Sequence, residues 1–238
     1  MVDSNIISNG GRMRKLLNIY FNPKETFTQL NEKPDWIIPI SITLVVIIVF
    51  TMLALPKIIL PERAKMIEES DRIPEEFKER QLAQLEGVLP YVTTPVTIII
   101  FSFILLFLQS SIFLVVFLMF GSRAPFKKIL AVVSYSYLTG IPEIILKTGL
   151  MFIRRTARVF TSLALVVPNL EMESPLFRVL ARIDIFMIWQ LSLIALGCSV
   201  IYGVSRKKSF GIIFGLWGIW LIIVYVLGFV LPKGIMFQ

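Results

Sequence analysis

Three ionisable residues stand within or at the edge of otherwise apolar stretches: Glu143, Lys147 and Asp184. A charge in hydrocarbon is costly, so one that is kept there serves pairing, ion passage or proton transfer. Glu143 and Lys147 are four residues apart, so on a helix they share a face and neutralise each other. Just before them, Gly140-Ile141-Pro142 loosens or breaks the helix, because Pro142 brings no backbone donor. Two readings fit this group. One is a broken-helix ion site of the transporter kind. The other is a structural ion pair near the outer interface, with Lys147 snorkelling. Asp184 opens an apolar run, where a helix N-terminus stabilises a carboxylate. Gln109, followed by Ser110 and Ser111, lies near the middle of another run, and its amide needs a partner. That partner is either a neighbouring helix, with the amide as packing glue, or a polar pathway.

The residue inventory narrows the chemistry further. The chain has no histidine, which removes most zinc, haem and general-base chemistry. Its single cysteine, Cys198, excludes an internal disulfide framework and lies in an apolar run as inert packing. No phosphate-binding loop or dinucleotide fingerprint occurs. The expectation is a protein that is not an enzyme, with no cofactor and no catalytic or metal site.

The elements that must carry these residues follow from composition. Of 238 residues, 56% are hydrophobic and 17% charged, and the mean hydropathy is +0.79. Soluble domains carry roughly 25% charge. Apolar runs at 36–55, 95–120, 129–153, 183–202 and 210–231 are each long enough, or nearly so, to cross a hydrocarbon core needing about 20 residues. The predicted fold is therefore all-α, a polytopic membrane protein with five transmembrane helices. Pro56 is expected to stop the first. The first run opens too far in, and is too long, for a secretory leader, so none is expected.

Residues 1–35 form a basic lead-in. Arg12, Arg14 and Lys15 alternate with Met13, Leu16, Leu17, Tyr20 and Phe21, the pattern of a helix lying in the interface. Asn22-Pro23-Lys24-Glu25 predicts a helix start, with Asn22 as cap, Pro23 as first helical residue and Glu25 as capping-box acid. Phe27 and Leu30 face lipid or the bundle, and Trp36 takes headgroup depth. Residues 61–89 predict a charged amphipathic loop helix with a narrow edge of Phe77, Leu82, Leu85 and Leu89. That helix either rests on the membrane surface or docks a partner. The short 159–167 stretch is interfacial or re-entrant, and 232–238 is a C-terminal tail. Small residues at Ala195, Ser199 and Gly203, and at Gly211 and Gly215, permit close helix packing, internal or between copies.

The formal charge is +8, but its carriers flank the apolar runs, so they anchor to anionic lipid headgroups of the bilayer and not to nucleic acid. Lys and Arg nearly balance between the two sides. The short loops with Arg123, Lys127 and Lys128, and with Arg206, Lys207 and Lys208, carry no acid and tip the orientation to a cytoplasmic N-terminus and an outer C-terminus in the cell membrane.

In their order and spacing these residues resemble a known family. Asn22-Pro23-Lys24-Glu25-Thr26-Phe27, then Lys33-Pro34-Asp35-Trp36-Ile37-Ile38-Pro39, look like the opening of prokaryotic YIP proteins, the Ypt/Rab-interacting-protein-like membrane family. The Pro74-Glu75-Glu76 helix with Arg80, the Tyr135-Ser136-Tyr137 triplet, and Trp189 through Lys208 continue the likeness over nearly the whole chain. The resemblance implies a five-helix integral membrane protein with a cytoplasmic N-terminus. Eukaryotic members of the family it resembles bind prenylated Rab-type GTPases and take part in vesicle traffic and membrane shaping, and they carry a long polar N-terminal region where this chain has residues 1–35. Some bacterial relatives are associated with ABC-type export systems. The implied role is a scaffold or partner-binding protein, an accessory subunit of a transport or export assembly. The alternative is a transporter or channel component using Glu143, Lys147, Asp184 and Gln109.

Overall fold

The computed structural model describes residues 15–70, 73–167, 170–171 and 174–230. The notable positions Arg12, Arg14 and the 232–238 tail lie outside them. Among the described residues the chain is helical, with one isolated antiparallel bridge between Ser162 and Asp184. The helices are α1 (15–21), α2 (Pro23–Glu32), α3 (Ile37–Ala54), α4 (Leu60–Glu68), α5 (Glu75–Glu86), α6 (Leu89–Met119), α7 (Phe126–Ser136), α8 (Gly140–Arg154), α9 (Pro175–Leu180), α10 (Ile185–Tyr202) and α11 (Arg206–Val230). Five helical stretches are long and apolar enough to cross a membrane: Ile37–Glu68, Leu89–Met119, Phe126–Arg154, Ile185–Tyr202 and Arg206–Phe229.

The second of these stretches, Leu89–Met119, exposes most of its apolar side chains. Ile100, Phe101, Ile104, Leu105 and Leu108 of α6 are all exposed. In water such a surface would aggregate, whereas hydrocarbon solvates it without cost.

Pro56 does not stop the first stretch. Leu55–Ile59 widens into a π-turn, in which Leu60 N–H donates to Leu55 O, and the helix continues as α4. The i→i+5 register absorbs the proline's missing donor and its ring. The expected capping box also fails to form. Asn22 N–H is already spent on Asn18 O at 2.7 Å, because α1 runs straight into α2. Glu25 therefore has no cap N–H to accept from, and its carboxylate takes Asn22 Nδ2 at 2.7 Å and Gln29 Nε2 at 3.3 Å.

The chain divides into two compact units. The first draws on the described residues within 15–40, 106–139 and 160–230. At its centre every residue of α7 from Ile129 to Ser136 is buried. α10 packs on α2, α7 and α11, and α11 packs on α9. Phe27 and Leu30 point into this core, not to lipid. The second unit draws on 41–105 and 140–159. Its loop is organised by Glu62, whose carboxylate accepts Thr156 Oγ1 at 3.1 Å and the Ala157 N–H, and pairs with Arg158 Nε at 3.3 Å. α4 and α5 have no buried residue, and the edge of α5 is half-buried at Leu82 and Leu85 and exposed at Phe77.

Candidate functional site

In α8, Lys147 Nζ donates to Glu143 Oε1, an i,i+4 pair with side chains 26% and 31% exposed. Glu precedes Lys and sits in the first turn of α8, the arrangement that both the side-chain geometry and the helix dipole favour. The helical register changes just upstream, where Tyr137–Thr139 is a 3₁₀ turn, and Gly140 opens α8 with Pro142 in its first turn.

Pro142 has a definite structural consequence. In an α-helix its N–H would bond the carbonyl four residues back, that of Leu138. The Leu138 carbonyl instead accepts the Tyr20 hydroxyl at 2.6 Å. Helix α1 is thus tied to the chain at the carbonyl that the proline leaves unpaired, and the Tyr20 ring lies 5.7 Å from that of Trp189. Burial raises the Tyr20 pKa to about 12 from its usual 10.0. The folded state therefore holds the phenol proton more tightly than the unfolded chain. Its contribution is complete below pH 10 and is lost as pH climbs toward the folded value. Tyr20→Phe should cost about 1–2 kcal/mol, the penalty of an orphaned buried carbonyl. It should also flatten the alkaline decline in thermal midpoint, measured in detergent from pH 9 to 12, relative to the parent chain.

Gln109 meets its requirement in the same way. Its Oε1 accepts the Tyr137 hydroxyl at 2.9 Å, joining α6 to the 3₁₀ turn. Ser110 is fully buried beside it, and Ser111 donates to Phe107 O of its own helix. Asp184 is the N-cap of α10. Its Oδ1 accepts Phe186 N–H at 2.8 Å, and its Oδ2 accepts the Thr161 hydroxyl, which holds the 160s segment to the helix start.

The small residues divide differently from the sequence expectation. Ala195 and Ser199 are buried, and Ala195 O accepts Ser209 Oγ at 2.6 Å, stitching α10 to α11. Gly203 is not a packing residue. It ends α10 in the left-handed conformation at φ 63°, which glycine adopts without strain. Gly211 and Gly215 lie on an open face of α11, where an added Cβ would meet no described atom within 4 Å. Among the described residues they make no close approach. The tightest approach is at Gly197, where a Cβ would stand 2.5 Å from Val132 Cγ1 and 3.0 Å from Phe27 Cδ1, and a second is at Gly228, where it would stand 3.1 Å from Pro175 Cβ.

A further feature has no sequence motif. A cleft of about 670 Å³ lies in the first unit. Lys15 of α1, Lys33 to Ile38 in the turn into α3, and Lys127 and Tyr135 of α7 line it. Its walls are pinned. Ser134 Oγ donates to Trp36 O at 2.6 Å, Lys128 Nζ donates to Asn31 Oδ1 at 2.8 Å, and Trp36 meets Phe107 edge-on at 5.9 Å. The three lysines are more than a dozen residues apart in sequence, so each one alone reads as a headgroup anchor.

A family model, the Yip1 domain, matches residues 17–228. No curated protein and no solved structure matches the chain. The matched span begins in α1, ends in α11 and takes in all five membrane-length helices. This multi-pass helical membrane protein belongs to the Yip1 domain family.

Proposed function

We propose that the chain is a non-enzymatic scaffold of the cell membrane that holds a membrane-protein partner, as an accessory subunit of a transport or export assembly. One observation carries this reading: the ionisable and amide groups that stand out in the apolar runs, Glu143, Lys147, Asp184 and Gln109, are engaged within the chain. Lys147 pairs with Glu143, Tyr137 with Gln109, and Thr161 with Asp184. Groups committed to one another serve structure: the Tyr137–Gln109 and Thr161–Asp184 hydrogen bonds tie separate elements together, and the Glu143–Lys147 pair neutralises two charges within α8. The exposed, charged α4–α5 segment, with Phe77 on its surface, is the partner-facing part in this reading.

Two measurements test it. Cross-linking in native membranes, followed by mild-detergent purification, should recover the chain together with one defined membrane protein. Recovery of a monomer alone would remove the scaffold role. Reconstituted vesicles should show no ion or solute flux above empty ones. A flux abolished by Glu143→Gln in a folded protein would instead assign a transporter.

A further inference from the structure

We propose that the cleft between α1, the turn at 33–36 and the start of α7 binds a phosphomonoester dianion, carried by an anionic lipid headgroup or by a soluble phosphomonoester. This is independent of the scaffold reading. Three lysines, Lys15, Lys33 and Lys127, and one carboxylate, Asp35, line the cleft, leaving two positive charges in excess. Among the described residues none of these lysines stands within 4.0 Å of a carboxylate, whereas Lys65, Lys78 and Lys147 each have one. A phosphomonoester carries about −1.5 to −2 at neutral pH, which matches that excess, while a phosphodiester carries about −1. Lysine ammonium groups suit the task as mobile point charges with three donors each.

The position of the cleft also fits a headgroup. Ile37 begins the first membrane-length stretch, directly after Trp36, and Lys127 is in the first turn of the third. The lysines therefore sit where apolar helix gives way to polar chain, beside Pro34, Ile37 and Ile38, which can take the apolar part of a lipid. The volume of about 670 Å³ is within the usual range for small ligands. Because its walls are already tied by the Ser134–Trp36 and Lys128–Asn31 hydrogen bonds, binding orders little else.

The test places the full chain in phosphatidylcholine nanodiscs doped with phosphatidic acid, a monoester, or with phosphatidylglycerol, a diester. Retained lipid is read by native mass spectrometry. Phosphatidic acid should be retained about tenfold more, and the variant Lys15→Gln/Lys33→Gln/Lys127→Gln should lose that preference. A control, Lys24→Gln/Arg206→Gln/Lys207→Gln, removes the same charge from exposed positions outside the cleft and should keep it. Asp35→Asn should tighten binding about threefold, a gain that misfolding cannot produce. Binding of glycerol 3-phosphate in undoped discs assigns the soluble source, and binding confined to phosphatidic acid assigns the lipid. Equal retention of the two lipids without binding of glycerol 3-phosphate, survival of the binding in the cleft variant, or no tightening in Asp35→Asn would overturn the proposal.

Discussion

Gly197→Ala should lower the thermal midpoint of the detergent-solubilised protein by several degrees, and Gly197→Leu should leave no folded protein. The added Cβ would meet Val132 Cγ1 at 2.5 Å, Val132 Cγ2 at 2.9 Å and Phe27 Cδ1 at 3.0 Å. Neither neighbour has room to yield. Val132 is β-branched in the middle of α7, where one χ1 rotamer dominates, and both side chains are fully buried. Overpacking of this kind costs about 1–3 kcal/mol for small insertions. The gain of about 1 kcal/mol in helix propensity on replacing glycine offsets only part of it. At about 2–4 °C per kcal/mol for a chain of this size, the shift is measurable. Leucine adds three more carbons into the same contact, and its similar gain in helix propensity is far too small to offset them. A second substitution isolates the cause: Val132→Ala should be destabilising alone, yet should recover most of the loss in Gly197→Ala. If Gly197→Ala matched the parent and Val132→Ala did not rescue it, α10 would not approach α7 this closely in the folded protein.

The difference between Gly197 and Gly211 shows how far the sequence carries. Both lie in apolar runs among small residues, and periodicity favours the G-x-x-x-G pair at 211 and 215. A stripe of small residues says that close approach is sterically allowed. Whether another helix is there to make it depends on the packing of distant segments, here α2 and α7 on α10. The membrane-length helices were legible for the opposite reason. A lipid-facing helix must be apolar on all sides, so composition alone marks it.

Their ends were less legible. Helices α7 and α11 begin at Phe126 and Arg206, ahead of the apolar runs, because Lys127, Lys128, Arg206, Lys207 and Lys208 are helical but charged. The long first stretch outruns Pro56 through a π-turn that no local residue pattern announces. Candidate polar residues were found because a charge or amide in hydrocarbon is conspicuous. Their partners Tyr137 and Thr161 were not, since hydroxyls are common in such runs. The lysine cleft was invisible for a related reason: three anchoring charges on three elements converge only once α1, the 33–36 turn and α7 are packed.

Removing one member of the Glu143–Lys147 pair should be worse than removing both. The pair lies in the Phe126–Arg154 stretch, which is apolar enough to span a membrane. Glu143→Leu leaves the Lys147 ammonium without this carboxylate, and Lys147→Met leaves the carboxylate without this ammonium. Breaking an ion pair in a low-dielectric site costs about 3–5 kcal/mol when fully buried. Both side chains retain about a quarter to a third of their exposure, and Lys147 can extend toward a headgroup, so about 2 kcal/mol per single substitution is expected. The double variant Glu143→Leu/Lys147→Met removes both desolvation penalties together with the attraction, and should fall within about 1 kcal/mol of the parent. Thermal midpoints of the four proteins in one detergent give the coupling energy, expected to be about 3–4 kcal/mol. Additive losses would mean that the two charges act apart and that each has its own partner in the bilayer. A strongly coupled, nearly neutral double variant would instead mean that the charges serve one another. A transporter could not dispense with its ion-binding charges in this way, whereas a scaffold could. The cycle therefore bears on function as well as stability: a double variant that is stable and still recovers the partner protein separates the scaffold from the transporter.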